Sequence, residues 1–191
     1  MRLRSFAINA TNLVWVLAAP ACQSGGVGDP CVPEDEYQAY FSGYALSELN
    51  IESRSFQCET RLCLVNHFQG RVSCPYGQSI EGGAPPRCHI PGSTTDPVRV
   101  DVRPWINNRR ATDAVYCSCR CDGPDVSGRY CKCPSGFTCT ELLHDIGVGS
   151  AELAGSYCIK AGTAYGTFDF IPSEVCDIDK HNCEGVGEEV R

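Results

Sequence analysis

Apolar and polar positions predict a short helix near the start of the folded part of the chain. Aromatic residues recur there at the i, i+3, i+4, i+7 spacing of one helical face, namely Tyr37, Tyr40, Phe41 and Tyr44. A proline and three acidic residues precede them at 33–36, which favours a helix N-terminus, and Gly43 predicts an end near Ser42. An exposed aromatic row could stack on sugar rings or a peptide, but we expect this one to be buried as core.

Alternation and β-branched residues predict strands in the following segment. Residues 50–52 and 62–67, a turn at 69–70 and a further strand at 71–74 together indicate a β-hairpin. His67 near its tip has no second histidine or carboxylate at ligand spacing. We therefore interpret it as a hydrogen-bonded histidine and not as a metal ligand or base.

The C-terminal half is predicted to contain a helix followed by a strand. Thr138 and Glu141 have the spacing of a capping box, apolar residues within 142–146 supply a buried side, and Gly147 provides a stop. Residues 157–160 predict a strand that enters a turn.

A basic stretch interrupts an otherwise acidic chain. Residues 98–103 alternate strictly and predict an edge strand, and residues 98–110 carry a net charge of +3 in a chain of net charge −7. The arginines of this stretch are candidate interaction residues: Arg99, Arg103, Arg109 and Arg110. They could contact lipid headgroups or lipopolysaccharide phosphates, and a solvated face is the alternative.

The first 22 residues, MRLRSFAINATNLVWVLAAPAC, have the layout of a secretory signal, with Arg2 and Arg4 before the apolar residues 13–19. Seven apolar residues are too few to cross a bilayer, which takes about 20. Cleavage could follow the A-x-A motif at 19–21, or lipoprotein processing could leave Cys22 as an acylated first residue. We prefer the second, because the chain has 15 cysteines and acylation of Cys22 leaves an even number.

This interpretation predicts the domain organisation and the location. We expect a bacterial cell-envelope protein, attached as an outer-membrane lipoprotein or otherwise secreted, and a glycine-rich tether after Cys22. The predicted parts are a signal peptide (1–21), a lipid-anchored flexible tether (22–30), one disulfide-linked domain (31–183) with sub-modules 31–88 and 117–183 joined by loop 89–116, and a disordered tail (184–191).

Composition indicates that cross-links hold the domain together. Only 34 of the 170 residues from Cys22 onward are Leu, Ile, Val or Phe, which is near the level at which chains bury too little apolar surface to fold. Each disulfide contributes roughly 2 to 4 kcal/mol. We therefore predict a small disulfide-rich α+β fold, with β-hairpins, two short helices and much irregular loop.

The stretch YCSCRCDGPDVSGRYCKCPSGFTC, residues 116–139, could instead hold a metal cluster. Flanking aromatic residues are atypical of metallothioneins, and an oxidising compartment favours disulfides. Neighbouring cysteines are then expected to bond to different partners. Apart from Cys22, five cysteines precede residue 89 and nine follow residue 116, so an odd number of bridges must join the halves. The predicted disulfide cysteines are Cys31, Cys58, Cys63, Cys74, Cys88, Cys117, Cys119, Cys121, Cys131, Cys133, Cys139, Cys158, Cys176 and Cys183.

No catalytic motif is present among those with a known spacing, including GxSxG, HExxH and the Walker loop. An enzyme would need a pocket that joins His67, His89 or His144 to a carboxylate. Asp177, Asp179 and Asn182 could offer only part of a calcium shell. Nucleic acid is an unfavourable partner, since loss of Arg2 and Arg4 with the signal takes the net charge from −7 to −9.

Two resemblances can be read from the cysteine-rich stretches. Residues 131–137 resemble the C-x-C-x-x-G-F end of an EGF-like module, but Cys139 follows too early, so we interpret them as a convergent turn. The chain is also similar to a group of uncharacterised cysteine-rich exported proteins, many of them lipoproteins, of myxobacterial type. The matching stretches are CLVNHFQGRVSCPYG (63–77), AVYCSCRC (114–121), YCKCPSGFTC (130–139) and YCIK (157–160).

That resemblance implies an exported, cysteine-rich architecture and assigns no activity or cofactor. From the sequence we expect a non-catalytic envelope lipoprotein with a structural or surface-interaction role, held at a membrane by its lipid anchor, with an envelope protein or glycan as partner. The alternative is a metal-binding or redox protein that uses Cys117, Cys119 and Cys121.

Overall fold

The computed structural model describes residues 25–82, 87–144, 153–164, 174–177, 179–180 and 182–183. Regular elements are short and are separated by turns and loops. In chain order they are a 3₁₀ helix (Glu34–Tyr37), β1 (Leu49–Glu52), β2 (Cys63–Asn66), α1 (Ala111–Ala114), β3 (Val115–Cys117), β4 (Arg120–Asp122), β5 (Phe137–Leu143) and β6 (Gly155–Lys160). The predicted small, disulfide-rich α+β fold is confirmed. No helix within the described ranges has the length and apolar character needed to cross a membrane.

The first sheet has the order β1-β2-β3 with both pairings antiparallel. Its central strand β2 is buried at all four positions, because both faces of the sheet are covered. Cys63 and Val65 face one apolar cluster, which also contains Val115, whereas Leu64 and Tyr116 belong to a second. A strand covered on both faces loses the alternation of apolar and polar residues that a half-exposed strand shows.

The second sheet has the order β4-β6-β5 and is also antiparallel. Gly155 begins β6 with φ = 133°, and a Cβ atom at this position would lie 2.3 Å from the carbonyl oxygen of Asp122. Glycine is therefore required for β4 to approach β6.

The two sheets share a small apolar cluster. Tyr116 of β3 packs edge-to-face on Phe137 of β5, with ring centroids 5.6 Å apart, and its hydroxyl accepts a hydrogen bond from the backbone N–H of Lys160 at 2.9 Å. Tyr157 and Ile159 complete this cluster from β6. The halves of the chain are therefore joined by packing as well as by sulfur.

The predicted linker 89–116 contributes to the core. Trp105 packs edge-to-face on Phe68 with centroids 5.5 Å apart, and its indole N–H donates to the carbonyl of Arg71 at 2.5 Å. The segment also contains α1 and the first two residues of β3, which the sequence did not predict.

The helix predicted over the aromatic row is wrong beyond its first turn. Only a 3₁₀ turn forms, and Gln38 leaves it in an extended conformation. Glu36 enters the core, where its carboxylate accepts hydrogen bonds from Val72 and Ser73 and pairs with buried Arg71. Because the helix stops, the aromatic residues do not share one face. Tyr44 is buried, whereas Tyr37 and Tyr40 are 49% and 71% exposed.

The helix predicted to start at Thr138 is also wrong, because these residues form β5. The strand pairs along its length with β6, and Cys139 within it is bonded to Cys121. Tertiary pairing thus overrides the local capping signal, and residues 145–147 of that prediction lie outside the described ranges. The strand predicted at 157–160 is confirmed.

The predicted hairpin has the right strands at 50–52 and 62–67 but the wrong third partner. Residues 71–74 close a turn of their own through an isolated bridge, and β3 takes the place beside β2. Residues 98–103 alternate in burial as predicted, with Val98 and Val102 buried, but make only one isolated bridge and no strand.

The predicted tether is fastened to the domain where the structure describes it. The N–H of Gly28 donates to Cys117 at 2.8 Å, and the N–H of Cys117 donates back to Asp29 at 2.8 Å. Gly25 forms a parallel bridge with Cys58. The expectation of a flexible tether is therefore wrong for residues 25–29, and residues 1–24 and 184–191 lie outside the described ranges.

Candidate functional site

Every cysteine from Cys31 onward is part of a disulfide. The seven pairs are Cys31–Cys63, Cys58–Cys117, Cys74–Cys88, Cys119–Cys131, Cys121–Cys139, Cys133–Cys158 and Cys176–Cys183. The prediction of disulfides is confirmed. As the parity argument requires, an odd number of bridges joins the halves, and that bridge is Cys58–Cys117.

The cysteines of the CSCRC stretch bond to separate partners, as predicted. Their places in the fold explain this. Cys117 ends β3 in the first sheet and faces the first core cluster, whereas Cys119 follows β3 and Cys121 lies in β4 of the second sheet, and these two bond to Cys131 and Cys139. Sulfur atoms of different bridges nevertheless lie close together. The Sγ atom of Cys158 lies 3.6 Å from the Sγ atoms of both Cys119 and Cys131.

These contacts define the possible metal centre of the alternative hypothesis. Three groups of three sulfur atoms lie within 4.8 Å of one another: Cys31, Cys58 and Cys117; Cys119, Cys131 and Cys158; and Cys121, Cys133 and Cys158. Each sulfur is already bonded to another sulfur, and a soft metal binds the thiolate form. These groups therefore become metal donors only after reduction.

The four arginines of the predicted basic stretch differ in burial. Arg109 is only 1% exposed, and its guanidinium donates to the carbonyls of Asn66, His67 and Thr163 at 2.5, 3.2 and 3.0 Å. Burial lowers the pKa of Arg109 to about 10, although Tyr116 and Asp113 oppose this. Its assignment to an interaction surface is wrong, because the side chain holds the β2 end against the turn after β6.

The other three arginines keep a solvent-facing position. Arg99 and Arg103 are exposed, and Arg110 is half-buried with its Nε donating to the carbonyl of Asn107 at 3.0 Å. Of the four predicted interaction residues, Arg99 and Arg103 are therefore the two that are exposed.

The histidines do not gather around a carboxylate in a pocket within the described ranges. His67 donates from Nδ1 to the carbonyl of Leu46 at 2.8 Å, as expected for a hydrogen-bonded histidine, and burial lowers its pKa. His144 lies 2.7 Å from Glu141 with 77% of its side chain exposed. His89 lines a cavity of about 310 Å³ beside the Cys74–Cys88 bridge, and the residues that line it include no carboxylate.

Protein groups bond to two of the three candidate calcium ligands, Asp177 and Asn182. Asn182 accepts the N–H of Asp177 at 2.7 Å, and Asp177 accepts the N–H of Asp179 at 3.0 Å. Lys180 pairs with the remaining oxygen of Asp177 at 3.0 Å. The side-chain oxygens of Asp177 and Asn182 are thus used within the loop that the Cys176–Cys183 bridge closes.

Sequence reasoning missed a cavity that we call the acidic–aromatic cavity. It has a volume of about 490 Å³ and is lined by parts of segments 32–37 and 52–57, including the side chains of Glu34, Tyr37, Glu52 and Phe56. That volume lies within the range of small-molecule and side-chain binding pockets. The two segments are distant in sequence, so only the acidic and aromatic content of 34–37 could have indicated the site.

Hydrogen bonds hold the two walls of this cavity together. The Gln57 amide donates to the carbonyl of Val32 at 2.7 Å and accepts the Val32 N–H at 3.0 Å. Glu52 Oε2 accepts the N–H of Glu34 at 3.0 Å. The Cys31–Cys63 and Cys58–Cys117 bridges fix the segments on either side, so the cavity is a preformed part of the fold.

The cavity has a negative electrostatic environment. Burial raises the pKa of Glu52, and the nearby carboxylates of Glu34 and Asp35 raise it further, against a lowering by the hydrogen bond from Glu34. Burial raises the pKa of Tyr44, and the carboxylates of Asp35 and Glu52 raise it further. Several carboxylates therefore act on one another at this end of the molecule.

Comparisons with known proteins identify no relative: no protein-family model, no curated protein and no solved structure matches the chain. The resemblance to cysteine-rich exported proteins of myxobacterial type stays a prediction. Function must be argued from the chain's own residues.

Proposed function

We propose that this protein is an exported, disulfide-linked lipoprotein of a bacterial cell envelope, anchored through acylated Cys22, with a surface-interaction role and no catalytic activity. The observation that carries the proposal is the pairing of all fourteen cysteines from Cys31 onward, which leaves Cys22 as the odd thiol of the chain. Seven disulfides require an oxidising compartment. An unpaired cysteine directly after a signal-like segment has a ready explanation in acylation.

Anchoring is supported by the layout of the N-terminal residues. Stable attachment takes more than one acyl chain, which lipoprotein processing supplies. The described segment begins at Gly25, three residues after Cys22, and is fastened beside the Cys58–Cys117 bridge. The domain would therefore stand close to the membrane surface, with exposed Arg99 and Arg103 available to anionic headgroups.

Intact mass spectrometry of the membrane-extracted protein tests this proposal. The expected mass is that of a chain starting at Cys22, less about two mass units for each of seven disulfides, plus a diacylglycerol and an acyl group. The Cys22→Ala variant should appear in the soluble fraction with the same seven disulfides. A membrane-extracted chain with an unmodified Cys22 would contradict anchoring, and a chain that retains residues 1–21 would contradict export processing.

A metal-binding or redox function is the second candidate, and the three sulfur groups within 4.8 Å favour it. Thiol counting under denaturing, non-reducing conditions separates the two. The lipoprotein hypothesis predicts no reactive thiol in the acylated protein, whereas a thiolate cluster predicts several. Zinc or copper bound in proportion to the protein would support the second hypothesis.

A further inference from the structure

The acidic–aromatic cavity combines three features that a binding site for an organic cation needs. Glu34 and Glu52 supply negative charge, Tyr37 and Phe56 supply aromatic faces, and the walls are fixed by the Gln57–Val32 hydrogen bonds. Cations on aromatic faces are attracted by the ring quadrupole. Carboxylates add charge-assisted hydrogen bonds.

One wall of the cavity contains an unpartnered buried hydroxyl. Ser55 lines the cavity and is 2% exposed, and its Oγ atom has no hydrogen-bond partner within the described ranges. Buried hydroxyls are usually satisfied, and one without a partner requires an explanation. Its Oγ atom has almost no exposed surface, so a ligand in the cavity could reach it only after Ser55 rotates.

The carboxylates at the cavity are not neutralised by their neighbours. Glu52 uses Oε2 for the N–H of Glu34, and no hydrogen bond reaches its Oε1 from any described residue. Arg54 also lines the cavity but forms no ion pair within the described part of the chain. Negative charge therefore remains available to a ligand.

The aromatic wall already shows the type of contact that a guanidinium makes. The guanidinium carbon of Arg61 lies 4.5 Å from the ring centroid of Phe56, yet Phe56 stays 81% exposed. Most of the ring is therefore open. A planar guanidinium can stack on such a ring while it donates to a carboxylate, which an ammonium group does less well.

We propose that the acidic–aromatic cavity binds an arginine side chain from a partner protein, with Glu52 and Glu34 as the charge partners and Phe56 and Tyr37 as the stacking faces. This deepens the proposed function and rests on its surface-interaction role, because it names the chemistry of the partner. The exposed Tyr40 beside the 3₁₀ helix extends the aromatic surface for the residues that flank the arginine.

The test uses the oxidised, purified protein and an acetylated, amidated hexapeptide of alternating glycine and arginine. The matched control ligand replaces each arginine by citrulline, which keeps the shape and removes the charge. In an NMR titration, the arginine peptide should shift signals of 32–37 and 52–57, and the citrulline peptide should bind at least tenfold more weakly.

Variants assign the contact to the cavity. Glu52→Gln should weaken binding of the arginine peptide about tenfold, and Phe56→Ala about threefold to fivefold. Glu59→Gln is the matched control, because Glu59 is an exposed glutamate outside the cavity lining, and it should change the affinity less than twofold. Intact mass and the urea midpoint confirm that each variant keeps its disulfides and fold.

Three results would overturn the proposal. Equal binding of the two peptides would show that charge is not recognised, an equal effect of Glu59→Gln and Glu52→Gln would show only diffuse attraction, and binding of a neutral glycan oligomer in preference to the arginine peptide would show a sugar site. The titration does not depend on acylation, so its failure and a failure of membrane anchoring are separate outcomes.

Discussion

The sulfur atom of Cys158 lies 3.6 Å from that of Cys119, although each is bonded to a different partner. Cys131 is at the same distance from Cys158. Two disulfides therefore adjoin in the second sheet, and a thiolate released from one would already be next to the other.

This arrangement predicts exchange between the two bridges under mild reduction. A small thiol that attacks Cys133 forms a mixed disulfide and releases the Cys158 thiolate, which then attacks Cys119 or Cys131 and releases the other as a thiolate. Trapping with N-ethylmaleimide and peptide mapping should detect Cys119–Cys158 or Cys131–Cys158 among the earliest products. The Cys133→Ala/Cys158→Ala variant should keep Cys119–Cys131 under the same conditions. Partially reduced protein that contains native pairs alone would contradict the prediction.

Removal of the bridge between the halves should destabilise the protein more than removal of the last bridge. Cys58–Cys117 closes a separation of 59 residues, whereas Cys176–Cys183 closes 7. The chain-entropy relation gives about 4 kcal/mol for the long loop and about 2.5 kcal/mol for the short one. Urea unfolding of the two double-alanine variants, in the absence of reductant, checks the order. Equal losses would show that packing across the halves outweighs the closure of the long loop.

Arg109 should be a stability residue, and Arg103 should not. Arg109→Met leaves three buried carbonyls without their donor, which is expected to lower the free energy of unfolding by about 3 kcal/mol. Arg103→Met, at an exposed position, should change it by less than about 0.5 kcal/mol. Urea unfolding measures both. A small effect of Arg109→Met would mean that water replaces the guanidinium.

His67 should make stability depend on pH in the acidic range. Burial lowers the pKa of the folded histidine below its ordinary value of 6.5, so the unfolded chain binds a proton more readily. The stabilisation that comes from a neutral His67 in the folded protein is fully present above pH 6.5. It is lost as the pH falls through the pKa of the folded histidine. His67→Asn preserves a donor for Leu46 and suits the positive φ of 53°, and it should reduce that loss. Thermal unfolding between pH 8 and pH 4 provides the test, with His144→Asn as control, and an unchanged profile in His67→Asn would contradict it.

The cysteines were the most informative part of the sequence. Parity and composition predicted the disulfides and the odd number of bridges between the halves, because these follow from counting the cysteines, and the close spacing of neighbouring cysteines predicted their separate partners. Cys58–Cys117 could not be assigned from spacing alone, since it depends on how β3 pairs with β2.

Local signals failed where distant partners decided the conformation. Thr138 and Glu141 have the spacing of a helix cap, but pairing with β6 and the bond of Cys139 to Cys121 hold the segment as a strand. The sequence predicted Arg109 to be a surface charge because its carbonyl partners are distant from it in sequence. They lie at and just after the end of β2 and in the turn after β6. The acidic–aromatic cavity likewise unites two segments that only the folded chain brings together.

The attachment of residues 25–29 determines how the domain would respond to a mechanical pull from its N-terminus. Gly25 bridges to Cys58, and Gly28 and Asp29 are hydrogen-bonded to Cys117. A force applied at Gly25 is thus transmitted to both cysteines of the Cys58–Cys117 disulfide within a few residues. The force would pass through this disulfide into β3 at the edge of the first sheet.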